Sequence, residues 1–417
     1  MSYLDVDRHI LKEVVNGLGS TFVTKDVSET SRMKQTHLHI VGSRNYHADV
    51  GRALSEFRVE LGIDEVGKSP KRGSYWRKTK FPSGRSVDSI TTTPIHSVFY
   101  ETLDIPTINS ELIPDLDLGP QFSSDSFLAS RVRKHQSWFR ANVLRLPYGF
   151  GPTKNSQSKY GNMLIPEDGD SGRNFLTSEI FDVVLDRINQ GGGAIDPYRL
   201  LNNMLSSQPM CFNLFGPLVN DLNLARKFLS TLVPDKVAEV IRVEFEWAPQ
   251  PAEEYLNDRT AFDAFFEYRT ESGDLAGLGI ETKLVEPFSQ NVYDRPEYRR
   301  WMDLPGSPWN PDALDKVQDI KHNQLWRDHL LAVSLQLHPS SPYNIVRLML
   351  VNHPEDVDAG RNISEYKKLL KNDNSLLSLS LDKIIESWFS VVNNNDTLNW
   401  LLAFKMRYLD LHLSKVS

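Results

Sequence analysis

Residues 261–284 read AFDAFFEYRTESGDLAGLGIETKL, and this stretch decides the fold. Glu271-Ser272-Gly273-Asp274 has the composition of a tight turn, so 261–270 and 275–284 are expected to be two antiparallel strands. Side chains alternate across a strand. In the second strand Ala276, Leu278, Ile280 and Leu284 therefore point one way, and Gly277, Gly279, Glu281 and Lys283 the other. The two glycines on the polar side leave room for a backbone to approach. A turn over 271–274 sets Asp263 opposite Thr282, at the hairpin end that carries Glu281. A one-residue shift or a bulge is needed before Asp263 and Glu281 share a face.

That juxtaposition has a chemical meaning. Two carboxylates at such a distance repel, and burying them is costly unless a cation lies between them. An oxygen-rich site suits Mg²⁺ or Mn²⁺. Lys283, two residues after Glu281, can orient a water and offset charge growing on a phosphate. Asp followed on the next strand by Glu-x-Lys is what metal-assisted phosphodiester hydrolysis needs.

Working outward, 237–247 is expected to be a strand. Ile241, Val243, Phe245 and Trp247 take one face, and Arg242, Glu244 and Glu246 the other. Glu246, with Glu244 beside it, is a candidate further metal ligand, against the alternative of a solvated strand face. Beyond the hairpin, 313–336 has helical spacing, 344–352 reads as a buried strand, and the chain from about 364 is mostly helical. Asn323, Gln324 and Arg327 fall on the first of these helices. Upstream, 127–144 is a helix bearing Arg131, Arg133, Lys134 and Arg140, and 147–175 is a long loop. Helical stretches follow at 178–189, 197–206 and 218–232. Helix, three strands, helix, strand makes an α/β core, a mixed sheet flanked by helices, within a domain spanning 127–417. The core itself covers about 218–353, and Asp258 is expected to cap the loop before the second strand.

The N-terminal 88 residues differ. Helical periods at 6–15, about 24–34 and 45–61 precede Lys68–Arg85, a run with seven basic residues and no acid, in which Tyr75 and Trp76 are embedded. Three helices and a basic hairpin resemble a winged helix-turn-helix, whose third helix enters the major groove while the hairpin touches the backbone. Arg44, His47 and Arg52 would lie on or near the reading helix. Lys71, Arg72, Trp76, Arg77 and Lys78 would make the wing. A solvated basic loop is the plainer alternative. Residues 89–126, with acidic spots at Asp115 and Asp117, form a linker.

Asp263…Glu281-Thr282-Lys283 in this frame resembles the restriction-endonuclease-like PD-(D/E)XK superfamily. Residues 127–352 more closely resemble a group of bacterial restriction-endonuclease-like proteins within it. The matching blocks are Arg133–Trp138, Tyr160–Leu164, Phe212–Leu218, Glu244–Trp247, Ala261–Ala264 and Gly279–Lys283. Phe262 stands where the family's name has proline. The resemblance implies a Mg²⁺- or Mn²⁺-dependent DNA endonuclease, with Asp263, Glu281, Lys283 and Glu246 as catalytic residues. Asp263, Glu281 and Glu246 would be the metal ligands. It implies a double-stranded DNA substrate gripped in part by Gln324 and Arg327, a homodimer by analogy, and a role in defence against foreign DNA. The competing reading is a DNA-binding or regulatory protein whose nuclease fold is idle.

Composition limits the alternatives. With 417 residues, more than one domain is expected. The net charge of −7 confines any nucleic-acid surface to local patches. Cys211, the single cysteine, excludes an intrachain disulfide or a Cys-cluster zinc site, and suits a reducing cytoplasm. The opening residues, with Asp5, Asp7 and Arg8, give no secretory signal, and no run of 18 apolar residues gives a membrane span. There is no phosphate-loop motif, so no nucleotide cofactor is expected, and no Gly-x-Ser-x-Gly elbow. Gly191-Gly192-Gly193 follows a helix where a dinucleotide site would open one, and His322 and His329 lack His-Glu-x-x-His spacing.

Overall fold

The computed structural model describes residues 21–23, 54, 63–69, 73–78, 117–191 and 193–414. The chain forms two compact units, Met1–Ile95 and His96–Ser417. In the first, β1 (Thr21–Val23), β2 (Ile63–Ser69) and β3 (Gly73–Lys78) make an antiparallel sheet in the order β1-β3-β2. The expected hairpin is present, but begins earlier, at Ile63, with an irregularity between Glu65 and Gly67. The three expected helices fall outside the described residues, apart from Leu54, which is helical and buried.

The second unit is built on five strands: β4 (Val237–Trp247), β5 (Phe262–Thr270), β6 (Leu275–Lys283), β7 (Ile345–Asn352) and β8 (Leu376–Ser380). They lie in sequence order, β4-β5-β6 antiparallel and β6-β7-β8 parallel. Among its described residues the helices of eight residues or more are α1 (Phe127–Trp138), α2 (Ser178–Gln190), α3 (Ser207–Phe215), α4 (Leu222–Leu229), α5 (Asn323–Leu337), α6 (Val357–Lys367), α7 (Leu381–Phe389) and α8 (Asn395–Tyr408). Parallel strands need a crossover, and α5 and α6 supply the two. Side-chain caps fix where several helices begin: Thr177, Asp221, Asp356 and Asn394 each accept from the amide three residues on.

The sheet divides two apolar cores. On one face Val243, Phe245, Phe266, Leu278, Ile280 and Met349 pack against α2, α3, α4, α7 and α8. Phe212 of α3 stacks on Phe245 with centroids 4.0 Å apart. On the other face Phe262, Phe265, Val346, Leu348 and Leu350 meet α5 and α6. Several expected features change: the helix expected over 197–206 ends at Asn202, that over 218–232 is Pro217–Asn220 followed by α4, and α3 lies where no helix was expected. The helix expected over 313–336 is broken into Leu314–Val317 and α5. A fifth strand, β8, lies in the segment expected to be helical, because Leu376–Ser380 pairs with β7.

The long stretch 147–175 stays irregular apart from a short helix, Pro166–Asp170, and is stapled by buried polar side chains. Arg140 Nε donates to the Gly161 carbonyl (2.7 Å), and its Nη2 to that of Asp117 (2.9 Å). Arg133 reaches Asn162 (2.6 Å), and Asn162 reaches Asn203 (2.8 Å). Arg407 joins Gln136 to both the carbonyl and the side chain of Asn174. The blocks Arg133–Trp138 and Tyr160–Leu164 are thus scaffold: buried polar groups must find partners, and these find them across the chain.

The glycines of β6 serve packing. A Cβ at Gly279 would lie 2.3 Å from the Phe262 ring, and one at Gly277 2.9 Å from that of Phe265. Aromatic side chains from β5 fill the room that the sequence suggested for a backbone. Gly279→Ala is expected to destabilise the second unit by about 1–3 kcal/mol, as overpacking does. Adding Phe262→Leu should restore part of that loss in thermal melts. Equal melting of Gly279→Ala and wild type would refute the packing role.

Candidate active site

The site begins with loop length. The Thr270 amide donates to the Asp274 carbonyl (3.0 Å) and the Gly273 amide to that of Thr270 (2.9 Å), with Gly273 at φ +91°. The loop is therefore three residues, Glu271–Gly273, where a four-residue turn was expected. Asp274 faces Thr270, Arg269 pairs with Leu275 and Ala264 with Ile280. Continued by one residue, this register sets Asp263 opposite Glu281, the shift that the sequence required. Phe262 and Phe265 both lie in the second core, so strict alternation breaks between them, at Asp263.

Asp263 Oδ2 accepts from both the Thr282 amide and its hydroxyl, each at 2.7 Å. Burial, with Glu281 and Glu246 nearby, holds the Asp263 carboxyl well above the usual carboxylate range, against those two bonds. Beside it Glu281, Lys283 and Gln324 close a triangle. Lys283 Nζ meets Glu281 Oε1 at 2.9 Å and Gln324 Oε1 at 3.2 Å, and Gln324 Nε2 donates to Glu281 Oε1 at 2.6 Å. The Ser289 amide also donates to Gln324 Oε1 (2.7 Å), so the amide of Gln324 has one sensible orientation. The side chains of Glu281 and Lys283 are only 8 % and 11 % exposed. Burial works against the ammonium of Lys283, but Glu281, then Asp263 and Glu286, more than offset it and raise its pKa.

Glu246 reaches this centre from the end of β4. Its φ is +47°, a left-handed conformation that costs a non-glycine residue energy. Oε1 accepts from Gln208 Nε2 (2.6 Å) and Oε2 from the Ala194 amide (3.2 Å). Burial raises its pKa against these bonds, and Glu281 adds to the rise. Glu244 instead pairs with Arg242 at 2.7 Å on a more exposed face. The left-handed residue also corrects the expected alternation. Trp247 leaves the Val243–Phe245 face and stacks on Phe265 (4.0 Å) on the other side of the sheet, with the Arg242 guanidinium 5.1 Å above it.

The structure thus gathers Asp263, Glu281, Lys283, Glu246 and Gln324. The Arg327 guanidinium is engaged elsewhere: it donates to Thr260 Oγ1 (2.6 Å), pairs with Asp258 (3.4 Å) and covers the Tyr293 ring (4.4 Å). Asn323 bonds both the amide and the carbonyl of Tyr293 (2.9 Å each). Asp258 accepts from the amide and hydroxyl of Thr260, as a loop cap does. Of the expected wing, Trp76, Arg77 and Lys78 fall in β3, while Arg44, His47, Arg52, Lys71 and Arg72 lie outside the described residues.

Three participants escaped the sequence. Gln208 meets Glu246 only through the tertiary fold. Thr282 looked like a spacer between Glu281 and Lys283. Asp328, one turn after Gln324, is buried, and its Oδ2 has no hydrogen-bond partner among the described residues. Burial and Glu281 push its pKa well above the ordinary value. An acid between Trp326 and Leu330 on a core helix was the available signal.

Among the described residues, no three His, Cys, Asp or Glu side chains close into a ready-made metal cage. The donor set fits a different kind of binding. No hydrogen bond from the described residues reaches Asp263 Oδ1 or Glu281 Oε2, although the other oxygen of each is bonded. Gln208 Oε1, next to Glu246, is a buried acceptor without a donor among the described residues. Free carboxylate oxygens and an orphaned acceptor suit a hard cation held by one or two carboxylates and keeping several waters, as Mg²⁺ does.

The electrostatics predict a trade. For an acid whose folded pKa is raised, the folded state holds its proton to higher pH, and stability is lost as pH rises through the folded value. Asp263→Asn removes this loss. At pH 7.5 without metal the variant should unfold about 2–4 °C higher than wild type, and calorimetry should find no Mn²⁺ site. A lower midpoint with Mn²⁺ binding intact would contradict the electrostatic account.

No curated protein and no solved structure matches this chain. A family model does: that of the PD-(D/E)XK nuclease superfamily, over residues 123–410. The span takes in the whole five-stranded sheet and every member of the acid centre, and the chain belongs to the PD-(D/E)XK nuclease superfamily.

Proposed function

We propose that the protein is a DNA endonuclease that uses Mg²⁺ or Mn²⁺ to hydrolyse phosphodiester bonds. The observation that carries this is the meeting of Asp263 and Glu281, each with an oxygen that no described residue bonds, beside the buried ammonium of Lys283. Asp263 and Glu281 would hold the cation, with Glu246 at the margin of the same acid centre. When bound, the ion supplies Lewis-acid stabilisation of charge on the phosphate and acidifies a water. Lys283 stays protonated because of its acidic neighbours, and it offers a fixed positive charge where phosphate oxygens gain negative charge. Gln324 holds both ends of the Glu281–Lys283 pair, so neither group must reorganise as charge develops. We therefore place its role inside the centre, where the family resemblance implied DNA contact.

We assign duplex binding to the first unit, with the basic β2–β3 hairpin as a wing on the phosphate backbone and the α/β unit cutting. Defence against foreign DNA and action as a homodimer accord with restriction-type enzymes by analogy. The idle-fold alternative is disfavoured by the closed Glu281–Lys283–Gln324 triangle, since an unused site has no reason to bury an ion pair.

The first test is plasmid cleavage with Mg²⁺ or Mn²⁺, with and without EDTA. Wild type should nick or linearise the plasmid, and Asp263→Ala and Lys283→Ala should each lose at least about 10²-fold in rate. Equal nicking by all three proteins would remove the nuclease assignment. Duplex binding provides the second test. Replacing Lys71, Arg72, Arg77 and Lys78 by alanine should weaken it and flatten its salt dependence, by about 0.9 in log–log slope for each phosphate no longer neutralised. An unchanged slope would dismiss the wing.

A further inference from the structure

Glu246 holds a conformation that its own backbone disfavours, and the structure supplies a bracket for it. Arg187, near the end of α2, donates from Nε to the Phe245 carbonyl (2.7 Å) and from Nη2 to the Glu246 carbonyl (2.9 Å). A third bond, from Nη1 to the Gly191 carbonyl (2.8 Å), ties the same guanidinium to the loop after α2. That loop lies directly against Glu246. A Cβ on Gly193 would stand 2.6 Å from Arg187 Nη2 and 3.1 Å from Glu246 Cβ, and Gly193 itself has φ +70°. Its neighbour Ala194 donates its amide to the Glu246 carboxylate. Arginine suits this task because its planar fork presents several donors at fixed angles, and two adjacent carbonyls take two of them.

We infer that Arg187 is a positioning residue of the active centre: by gripping the carbonyls of Phe245 and Glu246 it holds Glu246 in its left-handed turn, with the carboxylate directed to the cation that Asp263 and Glu281 bind. Without the fork, β4 regains ordinary extended geometry at Glu246, and its side chain leaves the centre. Arg187 makes no hydrogen bond with the Glu246 carboxylate, Asp263, Glu281 or Lys283; its bonds go to backbone carbonyls, and on the carboxylate it exerts only a Coulombic pull that a lysine would keep. The inference rests on the metal-dependent reading of the site.

Its test is a double-mutant cycle read by Mn²⁺ binding, using calorimetry or electron paramagnetic resonance on the full chain. Arg187→Ala is expected to weaken Mn²⁺ binding about tenfold, the usual scale for a residue behind a ligand. On a Glu246→Gln background the same change should alter binding less than about twofold, since nothing is left to position. Equal weakening on both backgrounds would overturn the inference, as would unaltered binding by Arg187→Ala alone. A cavity of about 880 Å³ lined by Arg187, Glu246 and Gly193 gives a soluble cation access. Millimolar guanidinium should therefore restore part of the Mn²⁺ affinity of Arg187→Ala and none of that of Glu246→Gln. Should Arg187→Ala fail to fold, Arg187→Lys keeps the charge without the fork. It should show weaker Mn²⁺ binding with near-native melting, and native affinity in that variant would count against the fork. Wild type that binds Mn²⁺ but cuts no DNA would remove the nuclease assignment and leave this inference standing.

Discussion

The amide of Thr270 bonded to the carbonyl of Asp274 fixes the register of β5 on β6, and the acid centre depends on that register. One more residue in the loop would move Asp263 opposite Thr282. It would also set the β5 aromatics against different β6 positions, away from the two glycines that make room for them. The same slip would leave Glu281 and Lys283 in place on β6 with no carboxylate facing them. Register errors in a sheet are all-or-none in this sense, because each side chain changes its partner at once. The three-residue loop, the Phe262–Gly279 and Phe265–Gly277 contacts and the Asp263–Thr282 bonds therefore form one consistent set.

Around that register the protein accepts an electrostatic burden. Asp263, Glu246 and Asp328 are all pushed up by burial and by Glu281, while the acids around Lys283 keep it charged. Such a concentration of like charge is poor for stability, and functional sites are where proteins tolerate it. The compensation is local. Thr282 answers Asp263, Gln324 and Lys283 answer Glu281, and Gln208 with Ala194 answers Glu246. Further out, Arg407 joins Gln136 of α1 to Asn174, and Asn213 of α3, the helix that carries Gln208, also donates to Asn174.

Much of this was legible in the sequence. Alternation and turn composition gave the three antiparallel strands nearly to the residue, and the Glu-x-Lys spacing gave two of the central side chains. The loop length was not legible, because Asp274 suits the last place of a turn as well as the first place of a strand. Alternation alone did not separate Glu246 from Glu244, and only the family resemblance favoured Glu246, since the choice depends on a left-handed residue at the end of β4. Trp247 was assigned the wrong face for the same reason. Gln208 and Arg187 carry no local signal: their roles follow from where α2 and α3 dock. β8 was missed because Leu376–Ser380 is short, runs straight into α7, and owes its strand character to pairing with β7. The two β6 glycines were read as space for an incoming backbone, although the rings that fill it stood on the preceding strand.

The same strand that delivers Glu246 is also one of the two outer strands of the sheet. A border of eleven residues that no other described strand pairs would ordinarily invite a strand from another molecule to add on and start aggregation. Irregularities at Val237–Glu239 and Val240–Arg242 disturb the even spacing such an addition needs. At the far end the Arg187 guanidinium already occupies the carbonyls of Phe245 and Glu246. The strand that serves the chemistry is thereby kept from serving as a template.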